Sequence, residues 1–277
     1  MNSTASLESM DDEVLKTVDE NNDDASAAAP ALVMQELAKS YSGRWVVQGL
    51  SLTIPRGSCY GIVGPNGAGK TTALSMATGL LRPEQGSASV LGHDVWRDPN
   101  TAKSKMGVLA DGLPTFDRLT GRELLTYVGL IRGLDADTVE QRTNSLLETL
   151  GLADAEGKLV TDYSAGMTKK ILLACALIHA PQLLILDEPL EAVDPVSAQT
   201  IRDFLTEYVK RGGTVVISSH VMELVEGFCT HVAIIAEGQV RAAGTLDEVR
   251  AGGTLTQRFI EIVGAEAHQG DLSWLNQ

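Results

Sequence analysis

Apolar and polar residues alternate between residues 32 and 63, with turn signals at Ser42-Gly43 and Pro55-Arg56-Gly57. A period of two marks half-buried strands, so this stretch predicts a small antiparallel sheet leading into a buried strand, Cys59–Val63. A glycine-rich turn follows, then a helical stretch from Lys70 to Gly79. Residues 84–98 read as another hairpin, with Gly86 and Gly92 as its turn residues. From Thr120 to Ala180 the pattern becomes helical. It predicts helices over Arg122–Arg132, Asp137–Leu150 and Gly166–His179, with Thr120 and Glu123 forming a capping box. Apolar runs at Leu183–Leu186, Thr214–Ser218 and Val232–Ala236 then alternate with helical stretches at Val196–Lys210 and Met222–Phe228. Strand–helix alternation implies an α/β fold with a mainly parallel core sheet covered by helices. An N-terminal antiparallel β subdomain precedes it, and a helical subdomain occupies about residues 111–180. Beyond about Arg250 the pattern weakens, so the main domain is set at 31–248 and residues 249–277 are a C-terminal extension.

Charge changes the picture at the N-terminus. The chain has 277 residues, 44% of them hydrophobic, which is enough for a sizeable core. Its formal charge is −14, and residues 1–30 hold eight acidic side chains against one base, Lys16. That tail buries too little apolar surface to offset its ordering entropy and is expected to be disordered. An acidic chain is a poor partner for a phosphate backbone, so no nucleic-acid partner is expected. Cys59, Cys175 and Cys229 are far apart and form no CxxC pair, which suits small buried thiols in a reducing compartment. The start is acidic and lacks a 7–15-residue apolar run, so a secretory signal is not expected. The longest apolar stretch, Ile171 to Leu186, is broken by His179, Pro181 and Gln182. It reads as a buried helix followed by a buried strand, not as a membrane span.

The candidate chemistry begins after the Cys59–Val63 strand. Gly64, Pro65, Asn66, Gly67, Ala68, Gly69, Lys70 and Thr71 match G-x-x-x-x-G-K-[ST] in full, with Thr72 following on the helix. Glycines let backbone N–H groups converge on phosphate oxygens, and the helix start adds partial positive charge. Lys70 would reach the β- and γ-phosphates, and the Thr71 hydroxyl would ligate Mg²⁺. A second element, Leu183-Leu-Ile-Leu-Asp187-Glu188, is an apolar strand ending in two acids. Ligands bind at the carboxyl ends of strands in open parallel sheets. There Asp187 would hold Mg²⁺ and Glu188 would orient or deprotonate the attacking water.

With these and three further segments the sequence resembles an ATPase domain of the ABC type over about residues 32–245. Tyr163-Ser164-Ala165-Gly166-Met167, with Ser164 23 residues before Asp187, is similar to the family's signature motif at a helix start. His220 matches the switch histidine, Asp194 the loop aspartate that crosses the dimer interface, and Tyr41 the aromatic that stacks on adenine. Asp111 falls where the family has a glutamine that contacts Mg²⁺ and the permease. The resemblance implies that ATP is held between the phosphate loop of one cassette and Ser164 and Gly166 of a second, the same chain or a related one. It implies ATP hydrolysis driving a separate integral-membrane permease docked on the helical part, with the chain cytoplasmic and peripheral on the inner face of the membrane.

The departures are Asp111 itself, Ala165 and Met167 within the signature, and Leu190-Glu191-Ala192-Val193 after the acidic pair. The Tyr-Ser-x-Gly-Met form resembles cassettes of multidrug and antibiotic exporters, which favours export over import. The other readings are a soluble ABC ATPase acting on a macromolecule such as the ribosome or DNA, and a regulatory nucleotide binder without turnover.

Overall fold

A computed structural model describes residues 29–112, 116 and 118–264. The expected acidic tail lies almost entirely outside the described residues.

The alternating N-terminal stretch forms β1 (Leu32–Tyr41) and β2 (Arg44–Ile54), which pair antiparallel from Leu32↔Ile54 to Tyr41↔Arg44. With β4 (Gln85–Val90) and β5 (His93–Asp94) they make a four-stranded sheet in the order β2-β1-β4-β5. Gly92 occupies the β4–β5 turn. Gly86, expected in a turn, instead lies within β4 at an irregularity in its pairing with β1. A Cβ at Gly86 would stand 2.3 Å from the Gln35 carbonyl, so the close approach of β1 demands glycine there.

The second sheet has six strands. They are β3 (Cys59–Val63), β6 (Met106–Leu109), β7 (Leu183–Leu186), β8 (Thr214–Ser219), β9 (His231–Ala236) and β10 (Gln239–Thr245), in the order β10-β9-β3-β8-β7-β6. Five run parallel and only β10 is antiparallel. Strands β3, β7 and β8 are buried along their whole length, as a parallel sheet covered on both faces requires. Alternate residues serve two cores. Leu183, Ile185, Tyr60, Ile62 and Val216 face the antiparallel sheet and helix α1 (Lys70–Ala77). Leu184, Leu186, Val63, Val215 and Ile217 face the larger helical layer. Each fully buried aliphatic side chain contributes about 1.5–3 kcal/mol.

Short helix α2 (Pro99–Ser104) precedes β6. The helical stretch resolves into α3 (Gly121–Ile131), α4 (Ala136–Thr149) and α5 (Ala165–Leu177). The Thr120–Glu123 capping box opens α3 as expected. Helices α6 (Pro195–Lys210) and α7 (Met222–Phe228) connect the later parallel strands. The boundary expected at 248 falls inside α8 (Leu246–Arg250), and the expected C-terminal extension contains α9 (Leu255–Val263), opened by a Thr254–Gln257 capping box. Leu255 is fully buried against the helical core.

Two of the cysteines, 170 positions apart in the chain, come together. Cys59 Sγ and Cys229 Sγ are 3.4 Å apart as buried free thiols. Burial, and then the neighbouring thiol, push the Cys229 pKa well up. No helix among the described residues is long and apolar enough to cross a membrane.

Candidate functional site: a phosphate loop facing an acidic strand end

The loop between β3 and α1 is shaped by what a side chain would hit. A Cβ on Gly64 would lie 2.3 Å from the Ile235 carbonyl, and one on Gly69 would lie 2.7 Å from the Val46 carbonyl. Gly67 has open space around it but adopts φ +79, a left-handed conformation that favours glycine. The loop is clamped from outside by the β9–β10 turn, where Gly238 N–H donates to Ala68 O at 3.0 Å. Gly69 is the N-cap of α1 and carries no capping side chain. The first N–H groups of a helix have no intrahelical acceptor, so they face the site as a ready anion cradle.

Lys70 folds back under this loop and is nearly buried. Its Nζ donates to Gly64 O at 2.8 Å and Pro65 O at 3.4 Å, and stands 3.6 Å from Glu188 Oε1. Glu188 therefore reaches the phosphate loop from β7, two strands away. Its other oxygen, Oε2, meets His220 Nδ1 at 3.2 Å. The structure thus joins three residues, Lys70, Glu188 and His220, that lie 30 to 150 positions apart in the chain.

Asp187 is 3% exposed and sits one step deeper. The Ser218 hydroxyl donates to Asp187 Oδ1 and accepts from Glu188 N–H at 2.9 Å, so one β8 side chain orients both acids. The Asp187 N–H donates to Leu109 O at 2.7 Å. Ser218 was missed in the sequence reading. The available signal was strand pairing: Leu186 aligns with Ile217, which brings the residues after each of them side by side.

A cavity of about 360 Å³ opens over the start of α1, lined by Asn66 to Thr72, Val46, Asp111, Glu188, Glu191 and His220. Asp111 pairs with Lys169 at 3.7 Å. Gly64 and Pro65 do not line the cavity; they receive the lysine from below. Tyr41 does not line it either. Its ring stands at the β1–β2 hairpin, 49% exposed, with Lys39 Nζ 5.9 Å above it.

Ser164 and Gly166 are also absent from this cavity's lining. Ser164 is the exposed N-cap of α5 and accepts from Met167 N–H at 3.3 Å. Gly166 is packed inside its own chain: a Cβ there would lie 2.7 Å from Asp194 Oδ2 and 2.8 Å from Ser197 Oγ. Asp194 caps α6 through Ser197 N–H at 2.9 Å. That bond, with the Ser197 side chain, holds the Asp194 carboxyl below the usual range. The signature glycine and the loop aspartate are therefore one packed unit.

A mainly parallel sheet with a lysine-bearing phosphate loop after one strand and an acidic pair ending another defines a P-loop nucleoside triphosphatase. The family model for ABC transporters matches residues 47–191. The chain is 36% identical to the daunorubicin/doxorubicin resistance ATP-binding protein DrrA of Streptomyces peucetius, over 80% of this chain and 67% of that one. It is 32% identical to the linearmycin resistance ATP-binding protein LnrL of Bacillus subtilis, over 87% and 81%. A solved ATP-binding subunit of an ABC transporter superposes with a TM-score of 0.78 at 27% identity, covering 84% of this chain and 99% of that one. The chain belongs to the ABC transporter family, as one of its ATP-binding and ATP-hydrolysing subunits.

Proposed function

We propose that the chain is the motor of an exporter and works as a head-to-tail pair of cassettes around ATP. The observation that carries this reading is the division of the site. Lys70, the start of α1, Glu188 and His220 converge on one cavity, while Ser164 stands exposed elsewhere on the same chain. An exposed serine at a helix start is an anion-binding end in need of an anion. The phosphate loop of a second copy, or of a related cassette, supplies it.

Within the site Lys70 leaves its loop carbonyls for the β/γ-phosphates. Glu188, freed from Lys70 and steadied by His220, orients the attacking water and takes its proton. Thr71 and Asp187 offer only oxygen donors, which suits Mg²⁺, while the Asp111 carboxylate is engaged by Lys169 at 3.7 Å. Among the described residues no three acids, histidines or cysteines converge as a metal cage. The ion therefore fits as a companion of the triphosphate, whose charge it neutralises. The permease reads the closure through the helical part, where Phe116, Tyr127, Leu130 and Ile131 expose apolar surface and the two rings meet edge to face at 5.4 Å. Such a partner places the chain at the inner face of a membrane. The resistance names of the relatives support export.

The test is size exclusion of Glu188→Gln with ATP and Mg²⁺. The variant is expected to dimerise on ATP and to turn over on the order of 10²–10⁴-fold more slowly than the unmodified chain. Adding Ser164→Arg should abolish the dimer. A dimer that survives Ser164→Arg removes the sandwich.

A further inference from the structure

Glu188 carries its catalytic side chain on an unusual backbone. Its φ is +46, in the left-handed region, where a residue with a Cβ costs of order 1–2 kcal/mol. Such a conformation persists only when its surroundings hold it. Two groups do so here, one on each side of the residue. The N–H donates to Ser218 Oγ at 2.9 Å, and the carbonyl accepts from Lys169 Nζ at 3.0 Å.

Lys169 lies in the second turn of α5, five residues after Ser164. Its side chain is only 18% exposed, and its ammonium also pairs with Asp111 Oδ1 at 3.7 Å. One charge therefore ties together the loop leaving β6, the start of α5 and the loop leaving β7. A charge-assisted bond to a carbonyl is about twice as strong as a neutral one, and the half-buried setting limits screening.

We infer that Lys169 is a positioning residue. It fixes the left-handed peptide of Glu188 through its bond to the carbonyl, and Asp111 holds the ammonium in place. The inference rests on Glu188 being the base. It adds a link to that reading: α5 presents Ser164 to another cassette's phosphate at one end and grips its own base one turn further on. A shift of α5 on closure is thereby transmitted to the base in the same chain through one side chain. Asp111, at the position where the family has glutamine, acts here as the counter-charge that keeps Lys169 on the Glu188 carbonyl.

Steady-state ATPase assays of Lys169→Met, Lys169→Arg, Asp111→Asn and the Lys169→Met/Asp111→Asn double variant test this, alongside Glu188→Gln. Lys169→Met should lower kcat roughly tenfold and leave the KM for ATP within about twofold, because a mispositioned base weakens the transition state and not substrate binding. Lys169→Arg, which keeps the donor and the charge, should recover most of the rate. The double variant should be no slower than Lys169→Met, because once the ammonium is gone Asp111 has nothing left to hold. Thermal melting of each variant separates folding from rate; if Lys169→Met melts early, Lys169→Gln replaces it and is expected to give the same split. An unchanged kcat in the folded variant, a loss confined to KM, or a double variant slower than Lys169→Met overturns the role of Lys169, provided Glu188→Gln is inactive. If Glu188→Gln turns over normally, the base lies elsewhere and the inference falls with it.

Discussion

At the scale of single residues, the site depends on one hydroxyl that belongs to neither motif. Ser218 donates to buried Asp187 and accepts from the N–H of Glu188. Removing it leaves a buried carboxylate and a buried amide short of a partner, at a cost of about 1–3 kcal/mol. Ser218→Ala is therefore expected to lower the unfolding free energy by that amount, read as a lower denaturant midpoint at unchanged slope, and to reduce kcat about tenfold or more; both are read on one preparation. His179 provides a separate check by pH. Burial is the main cause that pulls its pKa down to about 4, with Arg132 and Arg142 adding repulsion. Its Nε2 meets Met106 O at 3.0 Å, while buried Nδ1 has no hydrogen-bond partner, so a second proton would find no acceptor. The unfolded imidazole titrates near pH 6.5. Between about 6.5 and 4 the unfolded chain thus binds more protons than the folded one, and the stability His179 confers is full above 6.5 and lost as pH falls to 4. The loss amounts to about 3 kcal/mol at most. Urea unfolding of His179→Gln across this range should show a slope shallower by up to one proton.

At the scale of elements, packing of α5 on the sheet is set by a glycine. A Cβ at Gly107 in β6 would stand 2.1 Å from the Ala176 carbonyl and 2.8 Å from Leu184 Cδ2. The obstacle is backbone, so α5 itself would have to move. Gly107→Ala should cost about 2–3 kcal/mol, the upper range for overpacking, whereas Gly67→Ala, with open space and only a positive φ, should cost about 1 kcal/mol. Thermal melts that rank the two the other way would contradict this packing. The same contrast explains what was legible beforehand. The β3–loop–α1 unit is local, so spacing alone disclosed it. Strands β7 and β8 announced themselves through unbroken apolar runs, Leu183–Leu186 and Val215–Ile217, as strands covered on both faces carry. The Thr120 capping box was likewise readable. Ser218, Lys169 and the Cys59–Cys229 contact were not, because each joins segments brought together only by strand order. Gly86 misled because a bulge and a turn both call for glycine. The α9 helix was readable in the Thr254–Gln257 capping box and in the spacing of Leu255, Phe259, Ile262 and Val263, which all pack on the core; at nine residues it is short rather than weakly patterned.

At the scale of the whole molecule, the chain carries one copy of every motif yet arranges them in two places. Lys70, Thr71, Glu188 and His220 share a cavity, and the exposed start of α5 belongs to another surface of the same chain. In a head-to-tail pair with twofold symmetry, each site takes its phosphate loop from one subunit and its α5 start from the other. This geometry has a consequence that a self-sufficient monomer cannot reproduce. Lys70→Ala ruins the loop but leaves α5 intact, and Ser164→Arg does the reverse. Each variant alone should be inactive, since every site in its dimer contains one ruined half. In a mixed dimer both defects fall in one site, and the other receives the intact loop of Ser164→Arg and the intact α5 of Lys70→Ala. Mixing equal amounts should therefore restore activity that neither variant has alone, up to roughly a quarter of the wild-type ATPase rate: random pairing makes half the dimers mixed, each with one working site of two, and the one intact interface has to carry the pairing that Ser164→Arg abolishes when it sits in both. Activity equal to the sum of the separate variants at every mixing ratio would mean that this chain does not complete its own kind, and Ser164 would then have to face a related cassette.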